Sequence, residues 1–466
     1  MKWPGSRRGA GPFLDTPRGA VNNDAAMTDT APLAALRARL TDGTAAIGVA
    51  GLGYVGLPLA VELARAGFQV TGMDPDPERV RVVARGESPI EALPAAGVAE
   101  VVRAGRLRAT ADWDDARTFD AIIICVPTPL TPNGEPDLAF VRAAGTEAAR
   151  RLRLGQLVVL ESTTYPGTTE EVLLPLLAAG GLQVGRDFAL AYSPERVDPG
   201  NPHYHVGNTP KLVGGVTPAC TALAQALYEK VVIKVVPVSG PRVAETAKLL
   251  ENVFRNVNIA LVNEMAMLCD RMGIDIWEVV EAASTKPFGF MRFLPGPGVG
   301  GHCIPVDPIY LAWKAKEYDF YSGFITRAAE VNTNMPYFVT EKLSRLLAQR
   351  SGDVRGRRVL LLGVSFKRNV GDVRNSSALK LLELLETRGL DVSYHDPFVP
   401  HLRLGGRKMV SVPLDQATVS TADCVVIHTD HDTVDYEWLV THAQLVFDTR
   451  NATRDVRVDR TRVVRL

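Results

Sequence analysis

A cysteine follows a glycine-rich loop in the second half of the chain. The sequence from residue 296 to residue 303 is Gly-Pro-Gly-Val-Gly-Gly-His-Cys, with glycine at four of the first six positions. Glycine leaves the backbone bare, so a ligand can lie close to this loop beside a thiol. Free cysteines are commonly inert core residues, and we expect that of Cys125, Cys220, Cys269 and Cys424. Cys303 lies in a polar loop instead and is the candidate nucleophile.

A stripe of polar side chains lies on a long predicted helix. Glu245, Lys248, Asn252 and Asn256 recur at spacings of three and four within a largely apolar segment, which places them on one helix face. A solvated face is the alternative interpretation. Such faces usually carry mixed charges, whereas this stripe is rich in amides and poor in charge. We therefore predict that it lines a water-filled cleft.

A dinucleotide-binding pattern lies near the start of the predicted folded region. Residues 51–56 are Gly-Leu-Gly-Tyr-Val-Gly, directly after an apolar run and before a helix-forming stretch. This arrangement brings backbone N–H groups and a helix N-terminus to a pyrophosphate. Asp74 ends the next predicted strand, where a carboxylate binds the adenosine ribose and repels a 2′-phosphate. A tight turn alone would not explain this acid, so NAD is predicted, although Arg79 is a feature that could favour NADP.

The elements that position these residues alternate between strands and helices. Buried-strand candidates are AAIGVA, FQVTGMD, AIIICVPTP, LVVLESTT and FALAYSPE, separated by stretches of helical composition. This alternation predicts a parallel sheet covered by helices. A long helix follows from Pro241 to about Arg271, with Val243, Ala247, Leu250, Phe254, Val257 and Leu261 recurring at helical spacing.

The alternation returns near Arg357 with RVLLLGVSFK, SSALKLLELLETRG, DVSYHD and CVVIHTD. Gly363 stands alone there, so this second α/β unit lacks a dinucleotide fingerprint. The predicted fold class is α/β, with two Rossmann-like parallel-sheet domains joined by a central helical segment. The predicted boundaries are 1–43 for a disordered extension, in which Met27 is a candidate start, 44–238 for the NAD domain, 239–335 for the central segment and 336–466 for the second domain.

Composition limits the class of protein. The chain has 466 residues, and its 52 basic and 52 acidic side chains cancel, so no global field favours nucleic acid or an anionic membrane. Five widely spaced cysteines without a CxxC pair argue against a disulfide framework and a zinc site. No apolar run approaches the length of a membrane span, and we expect a cytosolic protein without metal.

The motifs quoted above resemble those of the UDP-glucose/GDP-mannose dehydrogenase family. The resemblance runs from Ala45 to about Arg450 and is carried by GLGYVGLPLA, VPTP, ESTTYPGTT, SPER, ETAKLLENVFRNVNIALVNE, GPGVGGHCIPVDP and FKRNVGDVRNS in that order. It implies oxidation of an alcohol through an aldehyde to an acid, consuming two NAD molecules per UDP-sugar. The aldehyde needs a nucleophile before it can lose a second hydride.

The resemblance also implies roles for individual residues. Cys303 is similar to the family nucleophile, and Lys248 and Asn252 to the groups that stabilise the oxyanion. Asp307 matches an acid that supports Lys248 and proton transfer, and Glu195 a general base for thioester hydrolysis. The implied cofactor-binding residues are Gly51, Gly53, Tyr54, Val55, Gly56, Asp74, Arg79, Thr128, Thr163 and Arg374, the last of which could reach the NAD of a neighbouring subunit. The implied substrate-binding residues are Glu195, Arg196, Lys248, Asn252, Gly298, Lys367 and Arg450, although a solvated surface charge is an equally good interpretation of Arg450.

The chain departs from the UDP-glucose dehydrogenase pattern at two places. Val306 stands where a lysine is common, and Pro199 stands where an acid is common, with Asp198 as a candidate substitute. Both departures resemble the branch that acts on UDP-N-acetylhexosamines, so UDP-N-acetylglucosamine is the predicted substrate, with UDP-N-acetylmannosamine and UDP-glucose as alternatives. A homodimer or higher oligomer through the long helix is implied by the resemblance. A one-step β-hydroxyacid dehydrogenase and a non-catalytic NAD(H)-binding protein are the competing functions, and both leave Cys303 unused.

Overall fold

The computed structural model describes residues 30–90, 93–197, 201 and 203–466. The expectations for Met27, Asp198 and Pro199 concern residues outside this part of the chain. Within the described part, none of the helices combines the length and apolar character needed to span a membrane, and no group of acidic, histidine and cysteine side chains is arranged to hold a metal ion.

The N-terminal half of the fold is an eight-stranded sheet. Its spatial order is β3-β2-β1-β4-β5-β6-β7-β8, and neighbouring strands are parallel except at the β6–β7 pair. The strands are β1 (Ala46–Ala50), β2 (Gln69–Met73), β3 (Leu107–Thr110), β4 (Ala121–Ile124), β5 (Leu157–Leu160), β6 (Ala189–Tyr192), β7 (Lys211–Gly215) and β8 (Val235–Pro237). The 3-2-1-4-5-6 order of the first six is that of a dinucleotide-binding Rossmann fold. The predicted α/β class is confirmed.

Helices cover both faces of this sheet, which is why its central strands are continuous apolar runs rather than alternating ones. They are α2 (Gly56–Arg65), α3 (Pro77–Ala84), α4 (Ala95–Arg103), α5 (Ala139–Arg151), α6 (Leu174–Ala178) and α7 (Pro218–Tyr228). Short 3₁₀ segments at Asp114–Thr118 and Val206–Asn208 and a π-helical turn at Thr169–Leu173 complete this half.

One helix is present where disorder was expected. Helix α1 (Ala31–Asp42) packs Leu33, Leu36 and Leu40 fully out of solvent against the first core. The predicted extension to residue 43 is therefore wrong for these twelve residues. The apolar side chains are spaced at three and four, but the helix is too short and too weakly apolar to be recognised without the surface that receives it.

Helices join the two halves, and the first and last of them are long. They are α8 (Pro241–Met272), α9 (Ile276–Ser284), α10 (Asp307–Ala315) and α11 (Gly323–Ser351), with a 3₁₀ turn at Lys316–Tyr318. Helix α8 confirms the predicted long helix and packs along α11. Helix α11 runs through residue 336, where a domain boundary is predicted from the sequence.

The C-terminal half is a five-stranded parallel sheet in the order β10-β9-β13-β14-β15. Its strands are β9 (Arg358–Leu362), β10 (Asp391–His395), β13 (Cys424–Ile427), β14 (Val446–Asp448) and β15 (Val463–Arg465). Its helices are α12 (Ser377–Thr387), α13 (Gln416–Thr421) and α14 (Tyr436–His442), and an antiparallel hairpin pairs β11 (His401–Leu404) with β12 (Arg407–Val410). This is the predicted second Rossmann-like sheet.

Candidate active site

The first glycine-rich turn has the geometry of a pyrophosphate cradle. Gly51 adopts a left-handed conformation, with φ of 97°, and a Cβ at Gly56 would lie 1.8 Å from the carbonyl oxygen of Gly51. A Cβ at Gly53 would meet no atom within 4 Å. The first and third glycines therefore shape the turn and the helix–strand contact, while the second leaves open space for a ligand.

Asp74 lies beside this turn at the end of β2 and is 5% exposed. Its Oδ2 accepts a hydrogen bond from the backbone N–H of Leu52 at 2.9 Å, and its Oδ1 accepts one from Asp76 at 3.0 Å. Arg79 pairs with the same carboxylate at 3.2 Å. Arg79, the cation that could favour NADP, is thus paired with Asp74, the acid that favours NAD. The turn, the acid and the strand order together fit NAD.

The polar stripe of α8 is buried, not solvated. Lys248 and Asn252 are 7% and 6% exposed. The amide Nδ2 of Asn252 donates to Oδ2 of Asp307 at 2.5 Å. Asp307 is 1% exposed, and its Oδ1 has no hydrogen-bond partner among the described residues. Burial raises the pKa of Asp307 to about 6, although the ammonium of Lys248 and the amide of Asn252 act in the opposite direction.

Glu245 does not share this cleft. Its carboxylate, fully buried, accepts hydrogen bonds from the backbone of Gly167 at 2.6 Å and from the backbone and hydroxyl of Thr169 at 2.9 and 2.8 Å. It therefore caps the helical turn that begins at Thr169. The predicted cleft-lining role is wrong for Glu245. Both of its carboxylate oxygens accept hydrogen bonds from the start of a helical turn that is distant in sequence.

Cys303 is partly exposed and lies four residues before Asp307, where α10 begins. Its carbonyl oxygen accepts from the backbone N–H groups of Val306 at 3.2 Å and Asp307 at 2.9 Å. The cysteine and the buried acid are thereby fixed in one turn. Burial lowers the pKa of the adjacent His302, and the positive charges of Arg374 and Lys248 lower it further.

The glycines before Cys303 are required for close packing against the second α/β half. A Cβ at Gly296 would lie 2.6 Å from a guanidinium nitrogen of Arg450, and one at Gly298 would lie 2.6 Å from Cβ of Ser377. Added Cβ atoms at Gly300 and Gly301 would come within 2.8 and 2.9 Å of Phe366. The loop therefore lies directly against the segment 366–377 and the end of β14.

Cations surround this loop. The Nε of Arg450 donates to the carbonyl oxygen of His428 at 2.8 Å, and burial lowers the pKa of its guanidinium. Lys367 is half-buried in the turn after β9, where its carbonyl oxygen accepts from Ser365 at 2.9 Å. Arg374 is paired with Asp372 and lies 4.3 Å from the ring centre of Tyr54. Arg374 therefore reaches the NAD-type turn of its own chain.

The other predicted site residues lie at the same edge of the first sheet. Thr128 is 3% exposed, and its carbonyl oxygen accepts from the hydroxyl of Tyr310 at 3.0 Å. Thr163 is half-buried in the segment after β5. Glu195 follows β6, and Arg196 is paired with Glu251 at 2.7 Å. Val55 precedes α2 as its N-terminal flanking residue.

Two polar groups at the site were not singled out by the sequence analysis, although the first lies within a quoted motif. Asn263 accepts a hydrogen bond from the backbone N–H of Gly296 at 2.9 Å and donates to Asn332 at 2.9 Å. Lys211 lies between Glu161 and Glu195. The segment ESTTYPGTT drew attention to Glu161 only as part of a motif, and Lys211 has no local pattern that marks it.

Comparison with known proteins identifies the family. Three family models of the UDP-glucose/GDP-mannose dehydrogenase family match in order: the NAD binding domain at residues 45–232, the central domain at 242–334 and the UDP binding domain at 360–455. The UDP-N-acetyl-D-glucosamine 6-dehydrogenase of Pseudomonas aeruginosa is 38% identical over 355 residues, which cover 76% of this chain and 83% of that protein.

Other relatives are named for a different sugar, N-acetylmannosamine. The UDP-N-acetyl-D-mannosamine dehydrogenase of Pyrococcus horikoshii is 37% identical over 386 residues, covering 83% of this chain and 89% of that protein. The solved structure of the UDP-D-ManNAc dehydrogenase from Pyrococcus horikoshii superimposes with a TM-score of 0.81 at 33% identity, covering 90% of this chain and 98% of that one.

Proposed function

Because the chain belongs to the UDP-glucose/GDP-mannose dehydrogenase family and is an NAD-dependent UDP-sugar dehydrogenase, we propose that it oxidises C6 of UDP-N-acetylglucosamine to the carboxylate. One observation carries the proposal. A hydrogen-bonded turn joins Cys303 to Asp307, and the carboxylate of Asp307 accepts a hydrogen bond from Asn252. UDP-N-acetylmannosamine is a second candidate because a mannosamine enzyme is a relative of nearly equal identity.

We propose that the first glycine-rich turn and the residues around it hold NAD. Residues 51–56 hold the pyrophosphate, with Gly53 providing the close approach, and Asp74 binds the adenosine ribose while Arg79 stays paired to it. NAD supplies the acceptor for the electrons removed in each oxidation. Tyr54 and Arg374 enclose the cofactor from the two halves of the chain, and Thr128 and Thr163 line its inner end.

In the first oxidation we assign the alcohol oxygen to Lys248 and Asn252. A cation and an amide donor stabilise the charge that develops on this oxygen as its proton leaves. Asp307 holds Asn252 through Oδ2, and its free Oδ1 offers a route for the proton. Burial of all three groups strengthens these interactions because water does not screen them.

In the second oxidation Cys303 adds its sulfur to the aldehyde carbon. The resulting thiohemiacetal oxygen occupies the position served by Lys248 and Asn252, and its oxidation leaves a thioester on Cys303. Glu195 acts as general base for the water that releases the carboxylate. The aldehyde stays attached to the protein throughout.

The second half binds the nucleotide in this proposal. Lys367 and Arg450 hold the UDP phosphates and uridine at the carboxyl ends of the parallel strands, while Arg196 and Gly298 line the sugar site. We propose domain boundaries of 44–238, 239–335 and 336–466, with α1 packed against the first domain and α11 shared between the second and third. A cytosolic location is proposed from the five cysteines, of which none forms a disulfide among the described residues.

The test is the NADH formed per sugar at limiting UDP-N-acetylglucosamine, UDP-N-acetylmannosamine and UDP-glucose. We expect two NADH per UDP-N-acetylglucosamine, and none of the acid from Cys303→Ala, with Cys269→Ala as the matched control cysteine. One NADH per sugar, or an unchanged acid yield without Cys303, contradicts the thioester route. Two NADH from UDP-N-acetylmannosamine alone assigns the second candidate.

We also propose a homodimer through α8. Its outward side chains Val243, Leu250, Phe254 and Leu261 are 46%, 61%, 44% and 59% exposed, so part of the apolar stripe faces outward, where a second subunit could cover it. An exposed apolar face of this length is typical of a protein interface. Sedimentation of wild type as a dimer and of Leu250→Glu as a monomer is expected, and a wild-type monomer at all concentrations contradicts the proposal.

A further inference from the structure

A buried group of charged side chains lies beside the candidate active site, between β5, β6, β7 and α7. Glu161, the first residue after β5, is 1% exposed, Lys211 at the start of β7 is 4% exposed, and Tyr228 at the end of α7 is fully buried. The ammonium of Lys211 lies 3.0 Å from Oε2 of Glu161. The hydroxyl of Tyr228 donates to the other oxygen, Oε1. Both oxygens of Glu161 are thus engaged.

The same ammonium also faces Glu195. The Nζ of Lys211 lies 3.6 Å from Oε2 of Glu195 and 3.5 Å from the carbonyl oxygen of Pro194. Oε1 of Glu195 accepts from the backbone N–H groups of Arg196 at 2.8 Å and Val197 at 2.6 Å. Glu195 is therefore held at both oxygens, yet its side chain remains 13% exposed. It is fixed in orientation and still open to a ligand or a water molecule.

The charges of this group explain why Lys211 stays cationic. Burial opposes an ammonium, but the carboxylates of Glu161 and Glu195 outweigh it and raise the pKa of Lys211. Burial raises the pKa of Glu161. A buried ion pair often contributes little to stability, because the loss of hydration offsets the attraction. The presence of a buried lysine between two acids is therefore better explained by a role in positioning them than by a gain in stability.

We propose that Lys211 is a positioning residue for the last chemical step, and that Glu161 and Tyr228 hold its ammonium where it orients the carboxylate of Glu195 toward the Cys303 thioester. The inference rests on the proposed function, because it needs that thioester. In the step itself the oxygen of a water molecule attacks the carbonyl carbon, and one proton of the water passes to Glu195. The C–S bond then breaks and its electron pair leaves on sulfur as the thiolate, while the new acid ionises.

The test separates hydrolysis from the two oxidations. Wild type and Lys211→Met are mixed with saturating NAD and the UDP-sugar that wild type oxidises, and NADH is followed from the first turnover. Both oxidations precede hydrolysis, so we expect Lys211→Met to form two NADH per active site rapidly and then to turn over roughly tenfold or more slowly. Protein quenched in acid should carry the mass of the UDP-uronyl group, and this mass should be absent from Cys303→Ala.

Two further variants control for folding. Lys234→Met removes an exposed lysine beside Lys211 and should behave as wild type. The double variant Glu161→Gln/Lys211→Met removes the buried charges together, so it should fold even if the single variant does not, and it should also accumulate the thioester. Lys211→Arg keeps the charge and should recover part of the hydrolysis rate.

The inference is overturned by a steady rate within about threefold of wild type, or by a first turnover of fewer than two NADH in the folded double variant. The first result means that Glu195 needs no help from Lys211. The second places the defect before the thioester. If wild type forms fewer than two NADH per sugar, or if Cys303→Ala still yields the acid, the proposed function fails as well, which distinguishes that outcome from a failure of the Lys211 inference alone.

Discussion

Asn252 and Asp307, 55 positions apart in sequence, are joined by a buried hydrogen bond of 2.5 Å. The bond connects α8, which carries Lys248, to Asp307, the first residue of α10, four positions after Cys303. The proposed oxyanion donors and the proposed nucleophile are therefore fixed to each other through one carboxylate. This linkage makes the protonation state of Asp307 a control point for the site.

The first prediction is an acid limb in the rate profile. Burial raises the pKa of Asp307 to about 6, and in the proposed mechanism the ionised form supports Lys248 and accepts the proton. As the pH falls through about 6 the carboxylate becomes neutral, so kcat/KM should drop by about tenfold per pH unit below it. In Asp307→Asn the rate should be low and this limb should disappear. A wild-type profile that stays flat from pH 7 to pH 5 contradicts the assignment.

The second prediction concerns Gly53. A methyl group there meets no protein atom, but it occupies the space proposed for the pyrophosphate. Gly53→Ala should therefore raise the KM for NAD by about tenfold or more and leave the melting temperature unchanged. Gly180→Ala, at another position with no atom within 4 Å of the added carbon, should change neither quantity. Equal NAD affinity in Gly53→Ala and wild type would exclude the proposed cradle.

The third prediction tests how the Cys303 loop is anchored. Asn263 on α8 binds the N–H of Gly296, and Asn332 on α11 fixes the Asn263 amide. Without this anchor the loop can move relative to Lys248, so Asn263→Ala should release aldehyde and form fewer than two NADH per sugar. Hydroxylamine trapping measures the released aldehyde.

Asn258→Ala is the matched control for this anchor, because that amide bonds only within α8 at Phe254 among the described contacts. A folded Asn263→Ala protein that still yields two NADH and no trapped aldehyde would show that the loop does not depend on the anchor.

Local patterns predicted the parts of the site that are contiguous in sequence. The turn at residues 51–56, the acid at Asp74 and the loop before Cys303 each carry their geometry within a few residues, since glycine and its spacing specify a turn directly. The partners Lys211 and Asn332 could not be predicted this way. Their roles arise from contacts between distant elements, and an isolated lysine or asparagine has no periodicity that reveals such a contact.

The orientation of α8 shows the same limit. The sequence predicted both of its stripes, and the polar one was expected to line a water-filled cleft. In the structure Asn256 is 1% exposed and bonds Asn332, while Leu250 is 61% exposed. Periodicity establishes that two faces exist, but which face is covered depends on the surfaces that pack against them.

The second α/β half illustrates why a Rossmann-like sheet need not bind a dinucleotide. Asp396 follows β10 as Asp74 follows β2, and it likewise accepts from the N–H of the preceding turn, here Val364 at 2.7 Å. The buried ring of His431 lies 3.1 Å from its Oδ2, and Phe398 packs on that ring at 5.0 Å. Side chains thus surround this acid. This agrees with the sequence after β9, where Gly363 stands alone and no GxGxxG pattern is present.

The last prediction concerns α1, the helix that the sequence did not reveal. Leu36 is fully buried against the first core, and the adjacent Arg39 pairs with Asp120 at 2.9 Å, just before β4. Leu36→Ala should lower the free energy of unfolding by about 2–5 kcal/mol, because it removes buried methyl groups and leaves a cavity. Denaturant unfolding measures this loss of stability, and Ala38→Ser on the exposed face should cost roughly 0.5 kcal/mol.

Since α1 packs at the opposite end of β1 from the glycine turn, kcat of Leu36→Ala should match wild type at temperatures where both are folded. An equal loss of stability in the two variants would mean that α1 does not belong to the core.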